Sequence, residues 1–142
     1  MEWMIMPYRR YAEFSGRSGR QEYWMFFLFN MLVYLVLGGA AAVFFIARAA
    51  SGDTSTDASV PVVGIVMVGL LVIFALATII PSLAVQVRRF HDQDKSGWFV
   101  LLGLIPYAGG LILFIFMLLE GTRGPNQYGA DPRDPYNSDV FR

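Results

Sequence analysis

Apolar and polar positions along this chain fall into long blocks rather than a short-period alternation. Three stretches carry no charged residue at all: Trp24–Ile46, Val60–Val87 and Trp98–Leu119. Each is at least as long as the ~20 residues a helix needs to cross a hydrocarbon core of ~30 Å. The runs are continuous, which favours helices over half-buried strands. In lipid only helices and closed barrels satisfy their own backbone polar groups, and three segments cannot close a barrel. The pattern therefore predicts an all-α integral membrane protein with three transmembrane helices, over about 23–47, 60–87 and 98–119. Residues 1–22 form a cytoplasmic interfacial segment, 23–120 the transmembrane domain and 121–142 a flexible polar tail. The first apolar run exceeds the 7–15 residues of a signal-peptide core, so it reads as a retained span.

The flanks have patterns of their own. Met4, Tyr8, Tyr11 and Phe14 recur near helical spacing, with Arg9, Arg10 and Glu13 on other faces. That predicts an N-terminal amphipathic helix lying in the membrane interface, with Pro7 near its start. Two copies of Ser-Gly-Arg, at 15–17 and 18–20, break it from the first span. Ser18 and Gln21 have capping-box spacing, and Tyr23 with Trp24 suits an aromatic belt. The third run contains Ile105-Pro106-Tyr107-Ala108-Gly109-Gly110 near its middle. Proline removes a helical hydrogen bond, so a kinked span is the first reading. A re-entrant hairpin is the second; its limbs of about 8–9 residues are too short to cross. Gly, Pro, Asn and Asp between Gly121 and Pro132 predict turns.

Composition sharpens this picture. The chain is 56% hydrophobic and 15% charged, against about 25% charge in an ordinary soluble domain. It has no cysteine, which removes disulfides and thiolate chemistry. The net charge is zero and no nucleic-acid partner is expected, but the basic residues are unevenly placed. Arg9, Arg10, Arg17, Arg20, Arg88, Arg89 and Lys95 flank the spans on one side, and Arg48 stands alone in the loop between the first two. The basic side stays inside, so the N-terminus is expected in the cytoplasm and the loop 49–59 outside. A kinked third span would put the tail outside as well. The basic side could also gather anionic headgroups, each cation worth ~1 kcal/mol near the surface.

The loop Arg88-Arg89-Phe90-His91-Asp92-Gln93-Asp94-Lys95-Ser96-Gly97-Trp98 holds the densest polar chemistry and the single histidine. One imidazole with loop carboxylates makes a poor zinc site, so no metal or cofactor is expected. His91 oriented by Asp92 could act as a general base, but no nucleophile motif accompanies it. The structural reading is preferred: His91 and Asp92 bond within a tight loop and hold N-terminal arginines, Glu22 pairs with an arginine of this loop, and Asp94 or Ser96 caps the next helix. Within the spans there is no Asp, Glu, Lys, Arg or His, which argues against an ion or proton pathway. Small residues at Gly38–Ala42, Thr78–Ser82, Gly64 and Gly69 permit close helix approach, to each other or to a partner.

Three motifs resemble the domain of unknown function 805 family, small bacterial inner-membrane proteins. They are Tyr11-x-x-Phe14-x-Gly16-Arg17-x-x-Arg20-x-Glu22-Tyr23-Trp24; Pro81-Ser82-Leu83-Ala84-Val85 with Arg88-Arg89-x-His91-Asp92 and Ser96-Gly97-Trp98; and Gly124-Pro125-Asn126-x-Tyr128-Gly129-x-Asp131-Pro132. Lys95 stands where the family usually has Arg, Phe99 where a second Trp is common, and the first loop is longer than is typical. The resemblance implies a multi-pass inner-membrane location and no activity. The interaction residues it points to are Arg17, Arg20, Glu22 and Trp24 from the first motif. Arg88, Arg89, His91, Asp92 and Trp98 come from the second, and Asn126 and Tyr128 from the third. The function expected is a non-enzymatic accessory or scaffold protein associating with a larger membrane complex, with itself, or with anionic lipid. The alternatives are a small oligomeric transporter or channel, or a lipid-headgroup enzyme using His91 and Asp92.

Overall fold

A computed structural model describes residues 2–52 and 59–133; most of the loop 49–59 and the end of the tail lie outside these. Four α-helices and one 3₁₀ helix follow one another: α1 (Glu2–Arg9), α2 (Arg20–Ala50), α3 (Ser59–Asp92), the 3₁₀ helix Gly97–Leu104 and α4 (Gly109–Leu118). No strand forms among the described residues apart from an isolated bridge between Asn126 and Gly129. At 1.5 Å per residue, α2 and α3 are about 46 and 51 Å long, enough to cross a bilayer with turns to spare. Pro81 does not interrupt α3. The N-terminal helix ends at Arg9, short of Tyr11 and Phe14, which are exposed beyond it.

The third apolar block, expected as a third span, does not form one continuous helix. The 3₁₀ helix ends at Ile105, extended at ψ 118°, as the residue before a proline prefers. Tyr107 then turns at φ 63°, and the Gly109 amide closes onto the Ile105 carbonyl at 2.9 Å. α4 runs back along the 3₁₀ helix. Phe116 meets Phe99 at 6.2 Å between ring centroids, and Leu113 packs over Gly103, where a Cβ would come within 2.6 Å of its Cδ1. A Cβ on Gly109 would strike the carbonyls of Leu102 and Gly103. The glycines at 103 and 109 let the limbs approach, and the break falls at Pro106. The limbs are ~16 and ~15 Å long, so this block forms a hairpin rather than a continuous helix.

Two compact units divide the chain. One comprises residues 28–79, the other residues 1–27 with 80–142. In the first, Tyr34 stacks edge-on against Phe74 at 5.1 Å, and its hydroxyl lies 3.1 Å from Thr78 Oγ1. Gly64 faces the Phe45 ring, 3.1 Å from where a Cβ would stand, whereas Gly38, Gly39 and Gly69 look onto open space. In the second unit Phe90, Met117, Ala84, Val85 and Phe26 are buried. Phe90 lies between Phe99 and Phe116, at 5.9 and 5.6 Å. Tyr8 of α1 packs on Phe26 of α2 at 5.2 Å. All the motif residues belong to this second unit.

Candidate functional site

The last turn of α3 carries the site. Arg88, Arg89 and Asp92 are all buried there, together with Arg17 and Glu22. Arg88 Nη2 donates to Glu22 Oε1 at 2.8 Å, and its Nη1 to the Glu13 carbonyl at 2.5 Å. Glu22 therefore does pair with an arginine of the loop at the end of α3. Its other oxygen accepts from Ser18 Oγ at 2.8 Å. Ser18 thus serves Glu22 and not the capping box expected with Gln21, because its amide is already fixed on the Arg88 carbonyl at 3.1 Å.

Asp92 binds two arginines at once. Arg17 reaches Oδ1 through Nε and Nη2, at 3.1 and 2.9 Å, and Arg89 donates to Oδ2. Three guanidinium groups thus share two carboxylates. The remaining positive charge is spread over backbone carbonyls: Arg17 donates to Thr122 and Gly124 at 2.6 Å each, and Arg89 to Leu119. Burial pushes the Arg88 and Arg89 guanidiniums below their ordinary values, against the pull of Glu22 and Asp92; arginines nonetheless stay charged in proteins. Removing one partner of such a buried pair typically costs about 3–5 kcal/mol, because the other charge is left uncompensated.

The tail through Arg133 is tied to this cluster. The Thr122 amide donates to the Asp92 carbonyl at 2.8 Å, and Asn126 Nδ2 to the His91 carbonyl at 2.9 Å. The Tyr128 amide returns to Asn126 Oδ1 at 2.9 Å, closing an Asx turn. Burial opposes ionisation of Asp131, but hydrogen bonds from Arg133 and the Gly124 amide outweigh it and hold its carboxyl at about 2. Gly121 admits the Asp92 carboxylate, which a Cβ at that position would overlap. Gly121, Thr122, Ser18 and Gln93, whose Nε2 donates to the Phe116 carbonyl at 2.6 Å, all belong to the site. Sequence reasoning missed their roles; for Gly121 the only sequence signal was a glycine immediately after a span.

His91 does not bond to Asp92, the contact that the general-base alternative would need. The imidazole Nδ1 lies 3.2 Å from the Gly16 carbonyl, and the ring stacks flat on Tyr128 at 3.9 Å with 2° between planes. A carbonyl only accepts, so Nδ1 carries the proton in this contact and the neutral ring leaves Nε2 bare. Burial pushes the His91 pKa down, with the Gly16 contact opposing it. Beside the ring opens a cleft of about 480 Å³ lined mainly by Phe14, Val87, Trp98, Val100, Leu101 and Tyr128.

The seven basic residues do not make one outward patch. Arg17, Arg88 and Arg89 face inward, Arg10 binds Glu13 at 2.7 Å, and Arg20 binds Glu120 at 3.0 Å in the open. Lys95 lies 5.6 Å above the Phe116 ring. Trp24 packs edge-on against Phe114 of α4 at 5.7 Å, and Trp98 is largely exposed. Ser96 caps the 3₁₀ helix through the Trp98 amide at 3.4 Å. Among the described residues no group of three His, Asp or Glu side chains could hold a metal ion.

These features define a small helical protein with two membrane-length apolar helices and a buried arginine–carboxylate cluster closed by a helical hairpin and a docked tail. The chain belongs to the DUF805 family of proteins of unknown function, whose model matches residues 11–130. Escherichia coli inner membrane protein YhaH is 38% identical over 94% of this chain and 98% of its own. Inner membrane protein YhaI of the same organism is 35% identical over 94% and 97%. The uncharacterized protein YiiR, also from Escherichia coli, is 27% identical over 85% and 86%. No solved structure matches the chain. With its apolar helices and these relatives, the protein is a membrane protein.

Proposed function

We propose that this protein is a non-enzymatic accessory or scaffold component of the bacterial inner membrane, associating with a larger membrane complex. In this reading α2 and α3 cross the bilayer and the N-terminus is cytoplasmic. The hairpin returns the tail to the same face. The observation behind the reading is the outer surface of residues 28–79, where Leu35, Val36, Val43, Ile46, Ile65 and Ile73 are each more than 60% exposed. Two helices cover little of each other, and small residues at 38, 39 and 69 leave room for a third helix to approach closely. Contact with anionic lipid would fall to Arg9 and Arg123, which are exposed, rather than to the buried arginines. Native mass spectrometry of protein gently extracted from its own membrane tests this. A stoichiometric larger assembly is expected; a bare monomer would overturn the accessory role. Reporter fusions at the two termini test the topology, with both expected on the cytoplasmic side.

A further inference from the structure

The cleft beside His91 combines three properties. Its volume of about 480 Å³ falls within the ~300–1,000 Å³ of small-molecule sites. Its walls are apolar and rich in rings: Phe14, Trp98, and the edge of the His91–Tyr128 stack. His91, on its wall, offers a bare Nε2 acceptor, since Nδ1 is committed to the Gly16 carbonyl. Gly97 keeps that edge open, for a Cβ there would stand 3.2 Å from Nε2 and 2.6 Å from Val87 Cγ1.

We propose that this cleft binds a hydroxylated aromatic ring carried on an apolar tail, the chemistry of a quinol, with the ring hydroxyl donating to His91 Nε2. A neutral donor suits the site because a charged one would lose its hydration against apolar walls. A flat ring suits it because aromatic edges and faces line the cleft. The tail would leave past Trp98 and Leu101, which are exposed together with Leu104 of the same 3₁₀ helix; in a membrane protein such apolar exposure faces lipid.

Isothermal titration calorimetry of the full chain in detergent, with 4-octylphenol and its methyl ether at a fixed ligand-to-detergent ratio, separates the hydrogen bond from partitioning. The phenol is expected to bind about tenfold more tightly than the ether, the effect of one good buried hydrogen bond. His91→Phe keeps a flat ring against Tyr128 and should bring the phenol to the ether's affinity. Val100→Trp, which fills the cleft and leaves His91 intact, should weaken both ligands by about tenfold or more, and it decides the matter if His91→Phe does not fold. Equal binding of phenol and ether, a phenol preference that survives His91→Phe, or indifference to Val100→Trp would each overturn the proposal. Dioctanoylglycerol binding as tightly as octylphenol would overturn the aromatic part, leaving an aliphatic alcohol site instead.

Discussion

Residues 28–79 and the unit built on the end of α3 solve the same packing problem with opposite means. The first contains the Tyr34–Thr78 hydroxyl pair, a tyrosine edge on Phe74, and a glycine under Phe45. The second buries three arginines and two carboxylates and spreads the excess positive charge over the carbonyl of Glu13 and carbonyls along residues 119–124. Lipid offers apolar side chains the same environment as a neighbouring helix, so it gives them little reason to choose one. Specific association within spans therefore rests on small residues and a few hydroxyls. Beyond the spans, segments without periodic pattern are held by buried charge, which is directional and costly to leave unpaired.

Substitutions can break this contrast in graded fashion. Asp92→Ala strands Arg17 and Arg89 together, and a loss of about 3–5 kcal/mol is expected; detergent unfolding should show it, and a change below 1 kcal/mol would refute the paired geometry. Glu22→Gln keeps the shape but leaves the Arg88 charge uncompensated. About 2 kcal/mol is expected, read as a lower melting temperature. Gly121→Ala forces a methyl group onto the Asp92 carboxylate, and limited proteolysis should cut the tail sooner, at a cost of about 1–3 kcal/mol. Within the spans the scale drops. Tyr34→Phe removes one interhelical hydroxyl contact and should cost only ~0.6 kcal/mol; an effect as large as that of Asp92→Ala would erase the contrast.

The smallest effect is a pH dependence. Burial lowers the His91 pKa below its ordinary value of 6.5, so the fold prefers the neutral ring. Its contribution is complete above the unfolded value near 6.5 and is lost as the pH falls from there through the folded value. Melting temperature measured between pH 8 and pH 5 should therefore be flat and then decline, and His91→Phe should flatten the part of the decline that belongs to this ring.

Much of the site was legible residue by residue before any geometry. The family resemblance singled out Arg17, Glu22, Arg88, Arg89 and Asp92, and charge placed beside apolar spans suggested that Glu22 pairs with a loop arginine. The role of Ser18 was not legible, since Ser-x-x-Gln is a local signal and Glu22 competes for the same hydroxyl one residue later. Nor was the break-up of His91 and Asp92. Adjacent residues near a helix end point in different directions, so their neighbourhood in sequence says nothing about a shared hydrogen bond. The tail looked loose because its composition favours turns, and turns are ordered only when something distant takes their polar groups.

The sequence by itself determined the two long apolar helices, because length and continuous hydrophobicity are local properties that no tertiary contact has to supply. It also placed nearly all the charge outside the spans. Tertiary structure alone decided what the third apolar block becomes and where the arginines go. Pro106 permits either a kink or a reversal, and the choice rests on Gly103 and Gly109 meeting partners across the turn. Arg17 is buried because Asp92, 75 residues away, and the carbonyls at 122 and 124 converge on it. An isolated arginine would remain in water, for only a complete set of acceptors offsets the cost of removing its charge from solvent.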